Sequence, residues 1–431
     1  MTDDLRYVGG SYPVHDVTEK VTGELVYGSD FSVPGMLHAQ LILRPIPHGS
    51  VTHIDASRAE ALPGVVKVFS HENAPMDGFS RARIHPGQDM SFYDETLFSR
   101  HVRFVGDRVA AVVATSRETA AAAAALVEVE YEELPAMLTV DAALAPDAVP
   151  IHEDGNLLFE HEIDKGRRPD LEGAVLVSSA TSTPRIHHAA LEPHVCIAQG
   201  HSTGGMTVWT TSQGVYAART VIAELLRLDY HRVRVIKLPM GGSFGGKTEY
   251  IIEPVCAFLA LATRRPVKLL LDREECMIAT MVRPATSTSI RTACTPDGEL
   301  LDFEAASTLD SGGFAASTPD YSIHMCKKVT KLYRVPHYQH AGRAVYTNTP
   351  VGGAARGWGA PEMAAATEIH MDRVAARLRL DPVELRLKNM VEPHEIDLVT
   401  DLPLGCRLYT SDPAAALLSV VFGGTRVTNM K

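Results

Sequence analysis

Residues 241–248 read GGSFGGKT, four glycines in eight positions. Without a Cβ, glycine lets consecutive main-chain N–H groups turn toward a common ligand. The fold must present this octet as a loop, since glycine in a helix or strand interior costs roughly 0.5–1 kcal/mol relative to alanine. The octet satisfies G-x-x-x-x-G-K-[ST], the phosphate-loop pattern, and also suits a different kind of cofactor loop. Its flanks fit the first reading. Residues 231–237 (HRVRVIK) alternate as a strand does, and residues 248–263 (TEYIIEPVCAFLALAT) show the broad apolar face of a helix. Residues 267–272 (VKLLLD) resemble a strand ending in a Mg²⁺-binding aspartate.

The rest of the chain narrows the choice. Hydrophobic residues make up 45% and charged residues 22% of the 431, a globular rather than disordered composition. A net charge of −11 without a Lys/Arg block argues against nucleic acid or an anionic membrane as partner. No apolar run approaches the roughly 20 residues that span a bilayer. The acidic start, MTDDLRYVGGSY, lacks the apolar core of a signal peptide, so a cytoplasmic location is expected. The cysteines (Cys196, Cys256, Cys276, Cys294, Cys326 and Cys406) form no C-x-x-C pair. Neither zinc nor an iron–sulfur cluster is expected in this chain, and no residue is assigned as a metal ligand.

Short strands alternate with turns in the first part. A strand over 36–44 follows the Pro34-Gly35 turn, and a helix over 57–62 is stopped by Pro63-Gly64. A helix over 120–125, opened by a capping box of Thr115 and Glu118, runs into the VEVEY strand from Val127. These elements make a domain with its own core over 17–133, after a lead over 1–16. The Pro- and Ala-rich stretch 134–150 reads as a linker. Beyond it lie longer helices over 214–228, 248–263, 361–380 and 383–390. The third carries Met371, Val374, Ala375 and Leu378 at helical spacing, and Asp381-Pro382 with Glu384 caps the fourth. The second unit is set at 151–405, with an irregular tail over 406–431. The fold class is α+β (mixed α/β).

Ten segments point further: KVTGELVYGSD, VPGMLHAQLILRPIPHG, ALPGVV, VGDRVAAVVA, HHAALEP, TTSQGVY, MGGSFGGK, LLLDREE, YTNTPVGGAARGWGAPE and DPVELRLKNM. In order and content they resemble the molybdopterin-binding large subunit of the molybdenum hydroxylases, the xanthine dehydrogenase and aldehyde oxidase family. Ten ordered segments are more specific than one octet and weigh against the phosphate loop. The resemblance implies an α/β hammerhead-type domain followed by the first molybdopterin-binding lobe. It implies a molybdenum–molybdopterin cofactor, in the cytosine dinucleotide form, held by Gln213, Gly241, Gly242, Ser243, Phe244, Gly245 and Arg356. By the same match Phe244 lies over the substrate, Gln213 donates its side-chain amide to an oxo ligand and Arg356 stands beside the cofactor, these three forming the catalytic set. Trp358 falls where the family usually has a phenylalanine that stacks on the substrate ring.

Departures from the family pattern shape the expected substrate. Thr248 stands where purine hydroxylases carry a glutamate, and His324 where they carry an arginine. Glu249, if it continues a helix, points about 100° away from Thr248. Ala355 replaces another aromatic, which would open the pocket beside Trp358. Gly357 after Arg356 excludes the arginine–cysteine pair of the copper-containing carbon monoxide dehydrogenases. The resemblance therefore implies an aromatic N-heterocycle, aldehyde or aryl thioester other than xanthine, bound by Phe244, Thr248, His324 and Trp358.

Large subunits of the family usually continue for about as long again, and no Gly-Glu-Pro or Gly-Glu-Gly segment supplies their catalytic glutamate here. The expected partners are a second molybdopterin-binding half-subunit carrying that glutamate, as in nicotinate dehydrogenase-like enzymes, an iron–sulfur subunit with [2Fe-2S] clusters, and an FAD subunit. The implied reaction is oxidative hydroxylation with water as oxygen donor. A nucleotide-binding protein using GGSFGGKT and a truncated, inactive relative are the alternatives.

Overall fold

The computed structural model of the protein describes residues 10–43, 45–82, 92–392 and 394–404. Cys406 and the tail expected over 406–431 lie outside the described residues. The chain is mixed α/β, built on two larger sheets.

The first sheet has seven strands in the order Val233–Lys237, Met206–Thr210, Val195–Gly200, Val267–Leu270, Leu37–Leu43, Arg108–Ala114 and Val65–Ser70. It runs through the sequence boundary at 134–150, because Leu37–Leu43 pairs in parallel with Val267–Leu270, Leu37 opposite Val267 and Ala39 opposite Leu269. Arg108–Ala114 is buried along its whole length, as a strand covered on both faces must be, and so shows an apolar run rather than alternation. Successive side chains point to opposite faces. Leu37, Ala39, Leu41, Ala111 and Val113 thus join Ile222, Val255 and Leu269 in one core. Ile42, Val68, Val112, Val51, Ile54 and Ala123 form another. The first part has its own core on one face only; its other face is shared with the second part.

The helix Arg117–Ala124 is capped by Ser116, whose hydroxyl accepts from the Thr119 N–H at 3.1 Å. The cap is therefore one residue beyond the expected Thr115. Residues 134–150 are docked rather than free. They include the helix Val140–Ala143, the Met137 N–H donates to Asn348 at 2.8 Å, and the Asn156 amide donates to the carbonyls of Ala143 and Val149 at 3.0 Å.

The second sheet orders Leu157–Gly166, His337–Tyr346, Leu300–Gly312, Thr286–Cys294 and Val175–Thr183. The helices Thr318–Cys326 and Ala360–Leu378 contribute Tyr321, Met325, Met363, Met371 and Val374 to its core, with Phe303 and Tyr338 from the strands. The helix Pro382–Asn389 is capped by Asp381, as expected.

One expected helix begins late. Residues 248–252 are not helical, and the helix is Glu253–Thr263 with Pro254 in its first turn. Proline lacks an N–H and fits there. The preceding residues are held by distant partners: the Tyr250 N–H donates to the Arg81 carbonyl at 3.1 Å, and the Glu249 carboxylate accepts from Ser317 and the Ala354 N–H. Glu249 is thus not a helical neighbour of Thr248 but a buried strut. Asp272, the supposed metal aspartate, instead caps the helix Arg273–Ala279 in a capping box with Glu275.

Candidate functional site

The parallel strands Met206–Thr210 and Val233–Lys237 end side by side, and the chain beyond each carries Gln213 and the octet. The Gln213 N–H donates to the Lys247 carbonyl at 2.8 Å, which joins the two segments. Glu192, almost fully buried, anchors the octet from below. It accepts from the N–H groups of Ser29 (3.1 Å) and Gly241 (2.8 Å) and from the Lys247 ammonium (3.2 Å). Lys247 is only 2% exposed, so the lysine that a phosphate loop extends toward its ligand is turned inward here. Burial lowers its pKa in spite of Glu192.

The octet's backbone is left-handed at Gly242 (φ 100), Phe244 (φ 55) and Gly245 (φ 101). A Cβ on Gly245 would stand 2.8 Å from the Ala354 carbonyl oxygen and from the Ala355 Cα, so glycine also permits the second loop to press against the first. Within the octet, the N–H groups of Gly241, Gly246, Lys247 and Thr248 are taken by Glu192, the Ser243 carbonyl, the Ser243 hydroxyl and the Gly245 carbonyl. Among the described residues, the N–H groups of Gly242, Ser243, Phe244 and Gly245 have no hydrogen-bond partner. Four consecutive donors without a partner, in a loop that is left-handed at three of its positions, are the kind of main-chain array that can take an anion.

Gln213 is exposed at the edge of this array. Its Oε1 accepts from the hydroxyls of Ser243 and Thr248, the latter at 2.9 Å, while Ser243 itself accepts from the Lys247 N–H. The amide is thereby oriented with its NH₂ left to donate. Thr248, expected to meet substrate, is half-buried and donates its hydroxyl to this support.

The Arg356 N–H donates to the Phe244 carbonyl at 2.9 Å, so Phe244, 53% exposed, and Arg356, also exposed, sit on adjoining loops. Ala355 is buried, with its Cα close against Gly245. Trp358 lies 5.8 Å from the Tyr321 ring and 6.3 Å from the His324 ring, centroid to centroid. The residues singled out in the sequence therefore fall on three adjoining loops, those of Gln213, the octet and Arg356, and on the helix Thr318–Cys326.

Four further residues shape the site. Glu192 lies within the HHAALEP segment, which carried that signal without showing what the carboxylate holds. His194 bonds the Gly246 carbonyl at 2.8 Å and His188 the Ala354 carbonyl at 2.8 Å, one under each loop. Burial pulls their pKa values down to about 3 and about 4, so both are neutral donors to those carbonyls. Asp320, four residues before His324, accepts from the Trp358 indole N–H at 2.9 Å.

Residues 151–390 match the molybdopterin cofactor-binding domain family, and residues 22–135 match the a/b hammerhead domain of aldehyde oxidase and xanthine dehydrogenase. The chain belongs to the xanthine dehydrogenase and aldehyde oxidase family. It is 35% identical over 402 residues to a xanthine dehydrogenase molybdenum-binding subunit of Escherichia coli, covering 92% of this chain and 53% of that one. It is 30% identical to the nicotinate dehydrogenase large molybdopterin subunit of Eubacterium barkeri, with 90% of each chain covered. The structure of quinoline 2-oxidoreductase from Pseudomonas putida 86 superposes with a TM-score of 0.86 at 28% identity, covering 96% of this chain and 54% of the other. Apart from the Eubacterium subunit, the chain spans about half the length of these relatives.

A molybdopterin cofactor presents oxygen-rich, anionic groups, and the octet offers the matching chemistry: four unpartnered N–H donors and an oriented carboxamide. No helix among the described residues is long and apolar enough to cross a membrane.

Proposed function

We propose that this chain is the molybdopterin-binding part of a molybdenum hydroxylase. The unpartnered N–H groups of Gly242, Ser243, Phe244 and Gly245 carry this reading. The bound cofactor, in its cytosine dinucleotide form, supplies two-electron oxidation with oxygen drawn from water. The chain's own residues bind and orient. The octet amides and Gln213 hold anionic oxygens, Arg356 adds a positive charge, and Phe244 and Trp358 present rings to a planar substrate, an aromatic N-heterocycle or an aldehyde. Electrons pass on to iron–sulfur and FAD subunits, and a further molybdopterin-binding polypeptide carries the glutamate base. The large molybdopterin subunit of nicotinate dehydrogenase, matched over 90% of both chains, supports a half-length subunit of this kind.

The phosphate-loop alternative is disfavoured by the inward ion pair of Lys247 and the capping role of Asp272. Co-expression with the neighbouring reading frames, followed by metal analysis and acid release of the nucleotide, tests the proposal. Stoichiometric molybdenum and CMP are expected, and Gln213→Ala should reduce turnover on the order of 10²–10³-fold, as loss of a positioned donor does. A molybdenum-free assembly, or one that hydrolyses ATP through Lys247, would overturn it.

A further inference from the structure

We propose that Asp320 sets the specificity of this site: its carboxylate fixes the Trp358 ring and makes the site favour neutral or cationic heteroaromatics and aldehydes over anionic ones. The inference rests on the reading that substrate lies against Trp358.

Trp358 is held from three sides. Its backbone is left-handed (φ 46), with its N–H donating to the Ala355 carbonyl at 2.9 Å. The Tyr321 ring lies beside it at an interplanar angle of 36°. Packing of this kind admits two edges of an indole, because stacking does not distinguish them. The bond from the indole N–H to Asp320 Oδ2 at 2.9 Å does distinguish them, and it selects one ring orientation. Asp320 is therefore a positioning residue for the aromatic surface.

The same carboxylate changes the local charge. Asp320 lies in the first turn of the nine-residue helix Thr318–Cys326, where the helix dipole favours a negative charge, and its side chain keeps 19% exposure. His324 Nδ1 lies 3.4 Å from Asp320 Oδ1. The neighbouring cation Arg283 is engaged by Glu362 and by the Tyr321 hydroxyl. Arg356, two residues before Trp358, is exposed on the adjoining loop, whereas Asp320 is bonded to the Trp358 indole itself, so a substrate carboxylate placed at that edge of the ring faces the negative charge. Like charges a few ångströms apart in a half-buried site disfavour binding by roughly 10-fold or more.

The chain contains two tryptophans, Trp209 and Trp358, so 5-fluorotryptophan labelling of the full chain gives two ¹⁹F resonances, assigned with Trp358→Phe. Asp320→Asn keeps an acceptor oxygen and removes the charge; Asp320→Ala removes both. The Trp358 resonance should stay near its wild-type position in Asp320→Asn and shift or broaden in Asp320→Ala. In the holoenzyme, the ratio of kcat/KM for a neutral aromatic aldehyde to that for its para-carboxylate should fall about 10-fold in Asp320→Asn, through the KM of the anionic aldehyde. Titrating both aldehydes against the labelled chain reads the same preference without turnover. An unmoved Trp358 resonance in Asp320→Ala, or an unchanged neutral-to-anionic ratio in Asp320→Asn, overturns the proposal. An inactive wild-type complex would count against the hydroxylase reading instead, while the resonance and the titration still decide the role of Asp320.

Discussion

Replacing Lys247 by methionine separates the two uses that the octet pattern suggests. In the structure Lys247 and Glu192 form a pair with side-chain exposures of 2% and 6%, 3.2 Å apart. Removing the ammonium leaves Glu192 buried with only the Ser29 and Gly241 N–H groups as partners. Breaking a buried pair from one side costs about 3–5 kcal/mol, and the two remaining N–H bonds to a charged acceptor, each about 1.5–3 kcal/mol, place Lys247→Met near the lower end. Glu192→Ala removes all three bonds and strands the ammonium, so it belongs at the upper end. The double variant Glu192→Gln/Lys247→Met should cost less than the sum of Glu192→Gln and Lys247→Met, with a coupling of about 1.5–3 kcal/mol. Urea denaturation of the four proteins measures the cycle, and molybdenum retention in the complex reports on the loop. Additive single effects, or a Lys247→Met protein of wild-type stability that has lost ATP binding, would refute the reasoning and return the octet to the phosphate-loop class.

Two other outcomes follow from the same geometry. Gly245→Ala places a Cβ 2.8 Å from the Ala354 carbonyl and the Ala355 Cα at a φ of 101, so we expect a loss of about 2–4 kcal/mol and displacement of the Arg356 loop, read by denaturation and cofactor content. His337, buried between Asp302 (2.6 Å) and Asp164 (2.9 Å), has burial working against its charge, but the two carboxylates outweigh this and raise its pKa above 6.5. A raised histidine contributes stability that is full below the unfolded value near 6.5 and is lost as pH rises through the folded value. The urea midpoint should fall as pH rises above about 6.5, and His337→Gln should flatten that limb; an unchanged slope would contradict the assignment.

Much of the site was legible because its signals are local. Glycine density marked the octet as a loop, and the order of short segments brought Gln213, Phe244, Arg356 and Trp358 forward together. The misreadings share one cause. The apolar run 248–263 looked helical throughout, yet Tyr250 and Glu249 are bound by Arg81, Ser317 and Ala354, residues far away in the chain. The bond from the Thr248 hydroxyl to Gln213 was likewise announced by nothing in its neighbourhood.

What the sequence by itself determined was the class of each segment: loop at the glycines, strand at the valine alternations, a cap at Asp381 with a helix after it. Each depends on interactions within a few residues, where backbone preference and side-chain period suffice. Tertiary structure alone decided that Lys247 turns inward to Glu192 across 55 residues and that Asp320 takes the Trp358 indole across 38. It alone decided that the Leu37 strand joins the Val267 strand, and which four amides of the octet have no partner among the described residues. These outcomes follow from which surfaces bury together, and pairing at long range leaves no period in the chain for local reasoning to detect.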